Sequence, residues 1–77
     1  MFVRERYVVE RGSDLVRDGM YLELWDPNVL PDGIAMFAFF SDETGDLTID
    51  KLRNDVPREV EAWFRQTAAT HLPPQPA

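Results

Sequence analysis

The sequence contains no cysteine, and its longest apolar stretch, residues 33–40, has only the length of one strand. Without thiols the chain cannot form disulfides or a thiolate zinc site, and a small protein that folds without such links suits a reducing compartment. A bilayer span needs about 20 apolar residues. The N-terminus, with Arg4 and Arg6, lacks the apolar core of a signal peptide. These absences predict a soluble, cytoplasmic protein that does not enter a membrane.

Residues that usually carry catalysis or bind metals are scarce. His71 is the only histidine, and Ser13 and Ser41 are the only serines. A single imidazole cannot complete a zinc site, and a histidine base needs a nucleophile and an orienting acid beside it. The sequence has no glycine-rich phosphate loop, nucleophile elbow or nucleic-acid-binding motif. It therefore predicts no catalytic residue, no cofactor and no metal site, and we expect a non-enzymatic protein.

Basic residues are missing from the middle of the chain. Residues 18–50 contain eight acidic residues and no lysine or arginine, within a total net charge of −6. Such a block disfavours nucleic acid as a partner and attracts basic protein surfaces. A candidate acidic patch consists of Asp42, Glu43, Asp46 and Asp50. The simpler interpretation is that acidic loops keep a small protein in solution.

Oxygen-bearing side chains occur at every second position from Asp42 to Asp50, a spacing that raises the question of a calcium loop. An EF-hand requires glycine at its sixth position and glutamate at its twelfth, where this chain has Leu47 and Arg53. The alternation of Leu47 and Ile49 with polar residues is typical of a strand with one wet face. We therefore predict a β-hairpin with an acidic tip.

Apolar periodicity predicts an α+β fold, a small antiparallel four-stranded β-meander packed against one C-terminal α-helix in the order β-β-β-β-α. The predicted strands cover residues 3–10, 20–25, 34–40 and 47–50. Turn signals lie at residues 11–14 and 26–33, and Gly45 supplies the positive φ of a 41–46 hairpin loop. One domain is predicted over residues 1–72, followed by a flexible proline-rich tail over residues 73–77.

The helix is predicted from an apolar stripe that follows Pro57. Its members, which fall within about 100° of each other on a helical wheel, are Val56, Val60, Trp63, Phe64, Thr67 and His71. Pro57 suits the first helical position, and Asn54 or Asp55 could cap the helix. Val56 precedes a proline and is therefore expected outside the helix proper. Pro73 and Pro74 would end it.

The predicted strand 34–40 is apolar on both faces, which is typical of a strand covered on both sides. One helix covers only one face, so something else must cover the other. The candidate interface residues are Tyr21, Trp25, Phe37 and Phe39. Their shared face depends on a strand register that the sequence does not give, since a shift by one residue exchanges the faces. The chain's own 26–32 loop, together with Leu15 and Val16, could also close this face.

These observations predict a non-enzymatic protein–protein interaction module that self-associates as a homodimer through the second face of its sheet. Two alternatives stay open. One is an acidic immunity-type or antagonist protein that binds a basic partner. The other is a small ligand-binding or enzyme subunit with a pocket made by the same aromatic residues. The expected partner is a second copy or another protein, and not nucleic acid or a membrane.

Overall fold

A computed structural model of the chain describes residues 2–4, 6–29 and 33–72. Within these ranges, five antiparallel strands form one sheet in chain order, and a helix follows them. The elements are β1 (Phe2–Arg4), β2 (Tyr7–Asp14), β3 (Gly19–Trp25), β4 (Ile34–Ser41), β5 (Leu47–Lys51) and α1 (Arg58–His71). The predicted α+β class, an antiparallel meander with a C-terminal helix, is confirmed, but the prediction of four strands is wrong.

The fifth strand arises because the predicted strand 3–10 turns back on itself. β1 pairs with β2 so that Arg4 lies opposite Tyr7 and Val3 lies opposite Val8. Sequence positions 4–6 are all charged, so this segment has no apolar side chain that would hold it inside a strand. The chain therefore reverses between Arg4 and Tyr7, and β1 becomes a short edge strand.

The turn predicted at residues 11–14 is also wrong, because these residues complete β2 and the turn follows at residues 15–18. Gly12, which suggested the turn, lies opposite Tyr21 of β3. The ring of Tyr21 lies over Gly12, in the space that a Cβ atom would occupy. A glycine covered by a cross-strand aromatic ring is compatible with a strand interior.

Hydrogen bonds to a side chain determine where the β2–β3 turn lies. One carboxylate oxygen of Asp14 accepts hydrogen bonds from the backbone N–H groups of Val16 and Arg17, both at 3.1 Å. Asp18 then adopts a positive φ of 51°, a conformation that aspartate tolerates better than most residues. An Asx-type turn therefore reverses the chain four residues later than the glycine pattern suggested.

The helix begins later than predicted and without a side-chain cap. Pro57 occupies the N-cap position, with φ −59° and ψ 145°, and Val56 lies outside the helix as predicted. The predicted cap by Asn54 or Asp55 does not form, since no side chain of the described residues caps this end. The carboxylate of Asp55 instead accepts a hydrogen bond of 2.6 Å from Arg53.

The core lies between α1 and one face of the sheet, which we call the inner face. From α1 the buried residues include Val60, Phe64 and Ala68, and Leu72 continues this spacing of four just after the helix. His71, predicted on the same stripe, is exposed. The sheet contributes Tyr7, Val9, Leu22, Leu24, Met36 and Ala38. The opposite face of the sheet is called the outer face.

The prediction for Gly45 is confirmed, because this residue has a φ of 76° in the β4–β5 loop. A Cβ atom there would meet no atom of the described residues within 4 Å, so the backbone conformation is what disfavours a larger residue. We expect Gly45→Ala to reduce the free energy of unfolding by about 1–2 kcal/mol, as measured by urea denaturation. The control, Glu43→Ala in the same exposed loop, should change it by less than about 0.5 kcal/mol. Equal losses of stability in the two variants would contradict the explanation that the positive φ of Gly45 disfavours alanine.

Candidate functional site

The outer face carries an aromatic row that runs across the sheet. Tyr21 lies opposite Phe39, and Gly12 and Thr48 lie beside them on β2 and β5. The ring of Phe37, two residues before Phe39, stacks on Tyr21 with 5.4 Å between the centroids and an interplanar angle of 24°. The rings are only partly buried. They therefore form a continuous aromatic surface that remains accessible to solvent.

Trp25 lies on the same face, nearer to β1. It pairs with Val8 of β2 and with Ile34 of β4, after a bulge that shifts the register beside Leu24. Its Nε1 atom is buried and has no hydrogen-bond partner among the described residues. The register thus places all four predicted interface residues on one face of the sheet. Whether they form an interface remains a prediction.

An acidic row crosses the outer face next to the aromatic row. Glu10 lies opposite Glu23, Glu23 lies opposite Phe37, and Phe37 lies opposite Asp50. Three carboxylates therefore share one line of the sheet with an aromatic ring. Glu23 is partly buried, whereas Glu10 and Asp50 are exposed. The outer face consequently combines apolar rings with negative charge.

The predicted acidic patch divides between two places. Asp42, Glu43 and Asp46 are exposed in the β4–β5 loop, whereas Asp50 joins the acidic row of the outer face. The sequence analysis missed Glu10 as a member of this row. Only the cross-strand register brings residues from β2, β3 and β5 into one line, and that register was not readable from the sequence.

One basic side chain, Arg17 of the β2–β3 turn, reaches the outer-face rings. Its guanidinium carbon lies 4.3 Å from the ring centroid of Phe39 and 5.9 Å from that of Phe37. Its Nε atom also lies 2.6 Å from a carboxylate oxygen of Asp14. Hydrogen bonds from Arg17 lower the pKa of the Asp14 carboxyl. The outer face therefore already holds one guanidinium over its rings.

The tip of the β2–β3 turn does not close the outer face. Leu15 is 89% exposed and Val16 is 95% exposed, so the predicted self-closure by these two residues is wrong. The same prediction also involved the 26–32 loop. Residues 30–32 of this loop lie outside the described residues. Two adjacent apolar side chains thus project into solvent next to Arg17.

A different cluster of charges joins β5 to α1 along a shallow depression. Glu61 accepts ion-pair contacts from Lys51 at 2.9 Å and from Arg65 at 3.1 Å. Hydrogen bonds from Lys51, and then from Arg65, lower the pKa of Glu61. The opposite charges compensate each other there. This cluster therefore ties the helix to the edge strand and leaves the outer face as the better candidate site.

In the part of the chain that the structure describes, no three histidine, aspartate or glutamate side chains converge as metal ligands. Within the same ranges, the helix is too short and too polar to cross a lipid bilayer. No protein-family model, curated protein or solved structure matches the chain. The function must therefore be argued from the outer face itself.

Proposed function

We propose that this chain is a non-enzymatic protein-binding module whose outer face binds a basic, partly apolar surface of another protein. The observation that carries the proposal is the combination of partly buried aromatic rings with the acidic row of Glu10, Glu23 and Asp50. Exposed apolar patches mark interaction sites when they are continuous and rimmed by polar groups. Here the acidic row places negative charge beside the rings.

The charge of the outer face favours a different protein over a second copy of the chain. Two copies stacked through this face would bring carboxylates of the acidic row toward carboxylates of the partner's acidic row. Like charges that face each other across an interface cost several kcal/mol. Arg17, at one end of the rings, is the one basic side chain that the described residues place over them. The homodimer predicted from the sequence is therefore the less favourable occupant.

A basic partner satisfies both components of the outer face. Guanidinium and ammonium groups are attracted to aromatic rings as well as to carboxylates, so one cationic side chain can contact Phe37 and Glu23 together. Apolar side chains of the partner can pack on the remaining rings and on Leu15 and Val16, which are exposed in the β2–β3 turn. Charge complementarity would also speed the encounter.

The test uses short synthetic peptides that alternate leucine with arginine or with glutamate, labelled for fluorescence anisotropy. We expect the arginine peptide to bind, the glutamate peptide not to bind, and the affinity to fall as salt is added, because exposed charges are screened. Glu23→Lys should weaken binding of the arginine peptide by about tenfold or more, equivalent to about 1.4 kcal/mol. Glu23 is the central carboxylate of the acidic row.

The matched control is Glu59→Lys, the same charge reversal at an exposed position of α1, which should keep most of the affinity. Thermal melts check that both variants remain folded. Absence of binding, or equal weakening by the two variants, would contradict the proposal. So would a stable dimer in light scattering that Phe37→Arg converts into a monomer, since a second copy would then occupy the outer face.

A further inference from the structure

We infer that the Phe39 end of the outer face is a guanidinium-binding subsite, which Arg17 occupies in the free protein and an arginine of the partner occupies in the complex. This inference rests on the proposed function and names the chemical group that the face recognises. Its three components are the ring of Phe39, the neighbouring ring of Phe37 and the carboxylate of Asp14, all of which contact Arg17.

The components of the subsite are held in place by the sheet. The ring of Phe39 lies over Gly19 of β3, and Phe37 stacks on Tyr21. Asp14 is anchored at the end of β2 by the hydrogen bonds that it accepts from the turn. A cation that enters the subsite therefore meets a preformed arrangement of ring faces and one carboxylate, and preformed sites lose little affinity to reorganisation.

Arg17 itself is held less firmly than its subsite. Its side chain is 54% exposed, and it sits on a turn whose neighbouring residues Leu15 and Val16 are almost fully exposed. Exposed ion pairs contribute little to stability because water screens them. An incoming arginine can therefore replace Arg17 over Phe39 at little cost, while the displaced side chain moves into solvent.

The combination of aromatic rings with a carboxylate in the subsite favours arginine over lysine. A guanidinium group can stack on a ring and form a two-point contact with a carboxylate, whereas an ammonium group is a compact, strongly hydrated charge. The guanidinium group of Arg17 lies over Phe39 and donates one hydrogen bond from Nε to a carboxylate oxygen of Asp14. We therefore expect the wild-type protein to bind the arginine–leucine peptide more tightly than an otherwise identical lysine–leucine peptide.

The decisive variant is Arg17→Ala, which empties the subsite. We expect it to bind the arginine–leucine peptide about twofold to fivefold more tightly than the wild-type protein, because the peptide no longer competes with a resident cation–π contact. Removal of any positive charge could also favour a basic peptide. The control is therefore Arg58→Ala, which removes the same charge from an exposed position of α1.

The gain should be larger for Arg17→Ala than for Arg58→Ala, and Phe39→Leu should abolish the preference for arginine over lysine. Equal gains from the two alanine variants, or a preference that survives Phe39→Leu, would overturn the inference while leaving the proposed function intact. If neither basic peptide binds the wild-type protein or Arg17→Ala, the proposed function and the inference both fail. Circular dichroism verifies that each variant is folded.

Discussion

Phe64→Ala is expected to reduce the free energy of unfolding by about 3–5 kcal/mol, the range observed when a large core aromatic is truncated. Phe64 is fully buried and lies at the centre of the helix stripe that packs on the inner face. A chain of 77 residues has an expected stability of only about 4–12 kcal/mol. The variant should therefore lose a large part of its stability, which urea denaturation followed by circular dichroism would measure.

The informative control is Phe37→Ala, the same substitution on the outer face. The ring of Phe37 is only partly buried, so its removal exposes less apolar surface and leaves no closed cavity. We expect a clearly smaller loss of stability, together with weaker binding of the arginine–leucine peptide. If both variants lost the same stability, the outer face would be as closed as the core, and the proposed binding surface would not exist.

Asp26→Asn is expected to cost about 2–3 kcal/mol, because it removes a charge from a set of charge-assisted hydrogen bonds. The Asp26 side chain is 3% exposed. Its carboxylate accepts two hydrogen bonds of 3.1 Å from Arg6 and one of 3.0 Å from the backbone N–H of Asn28. The backbone N–H of Asp26 also donates to Gly33 at 2.8 Å. Asp26 therefore links the β1–β2 connection to the β3–β4 loop.

The stability that the Asp26 carboxylate contributes to the fold should depend on pH in a defined direction. Hydrogen bonds from Arg6 lower the pKa of Asp26 more than its burial raises it. The folded pKa is therefore below the unfolded value of about 3.9. Ionised Asp26 stabilises the fold fully above that value, and its contribution disappears as the pH falls through the folded pKa. The difference between wild type and Asp26→Asn should stay constant from about pH 7 to pH 5 and shrink below about pH 4.

Asp14→Asn serves as the comparison for Asp26→Asn. The Asp14–Arg17 pair has a shorter contact of 2.6 Å, but the Arg17 side chain is half exposed, so water screens the pair. We expect a much smaller loss of stability for Asp14→Asn than for Asp26→Asn. Urea denaturation at several pH values would measure both. If Asp26→Asn lost no more stability than Asp14→Asn, a structural role for the buried carboxylate of Asp26 would be contradicted.

The sequence alone determined the elements whose signals are local. Alternation along the chain predicted the strand at 20–25, and a continuous apolar run predicted the strand at 34–40, both almost to their ends. The spacing of Val60 and Phe64 predicted the buried side of the helix. The isolated Gly45 predicted the positive φ of its loop. Each of these follows from the conformational preferences of one short segment, so no information about distant parts of the chain was needed.

The local signals failed where contacts between strands outweigh them. Gly12 resembles a turn residue in the sequence, but a ring from β3 covers it and keeps it in β2. The predicted strand 3–10 contains a reversal of the chain, which is defined by the pairing of Arg4 with Tyr7 and not by a local sequence signal. In both cases a residue's conformation depends on its cross-strand partner. Intrinsic strand preferences are weaker than such pairings.

The composition of the candidate site was decided by the tertiary structure. The sequence supplied aromatic residues at alternate positions and an excess of acidic residues, but not which of them share a face. The pairing of four strands places Glu10, Glu23 and Asp50 in one row beside Phe37. The β2–β3 turn then brings Arg17 over Phe39. A one-residue change of register would place these side chains on opposite faces, which is why only the folded sheet defines the outer face.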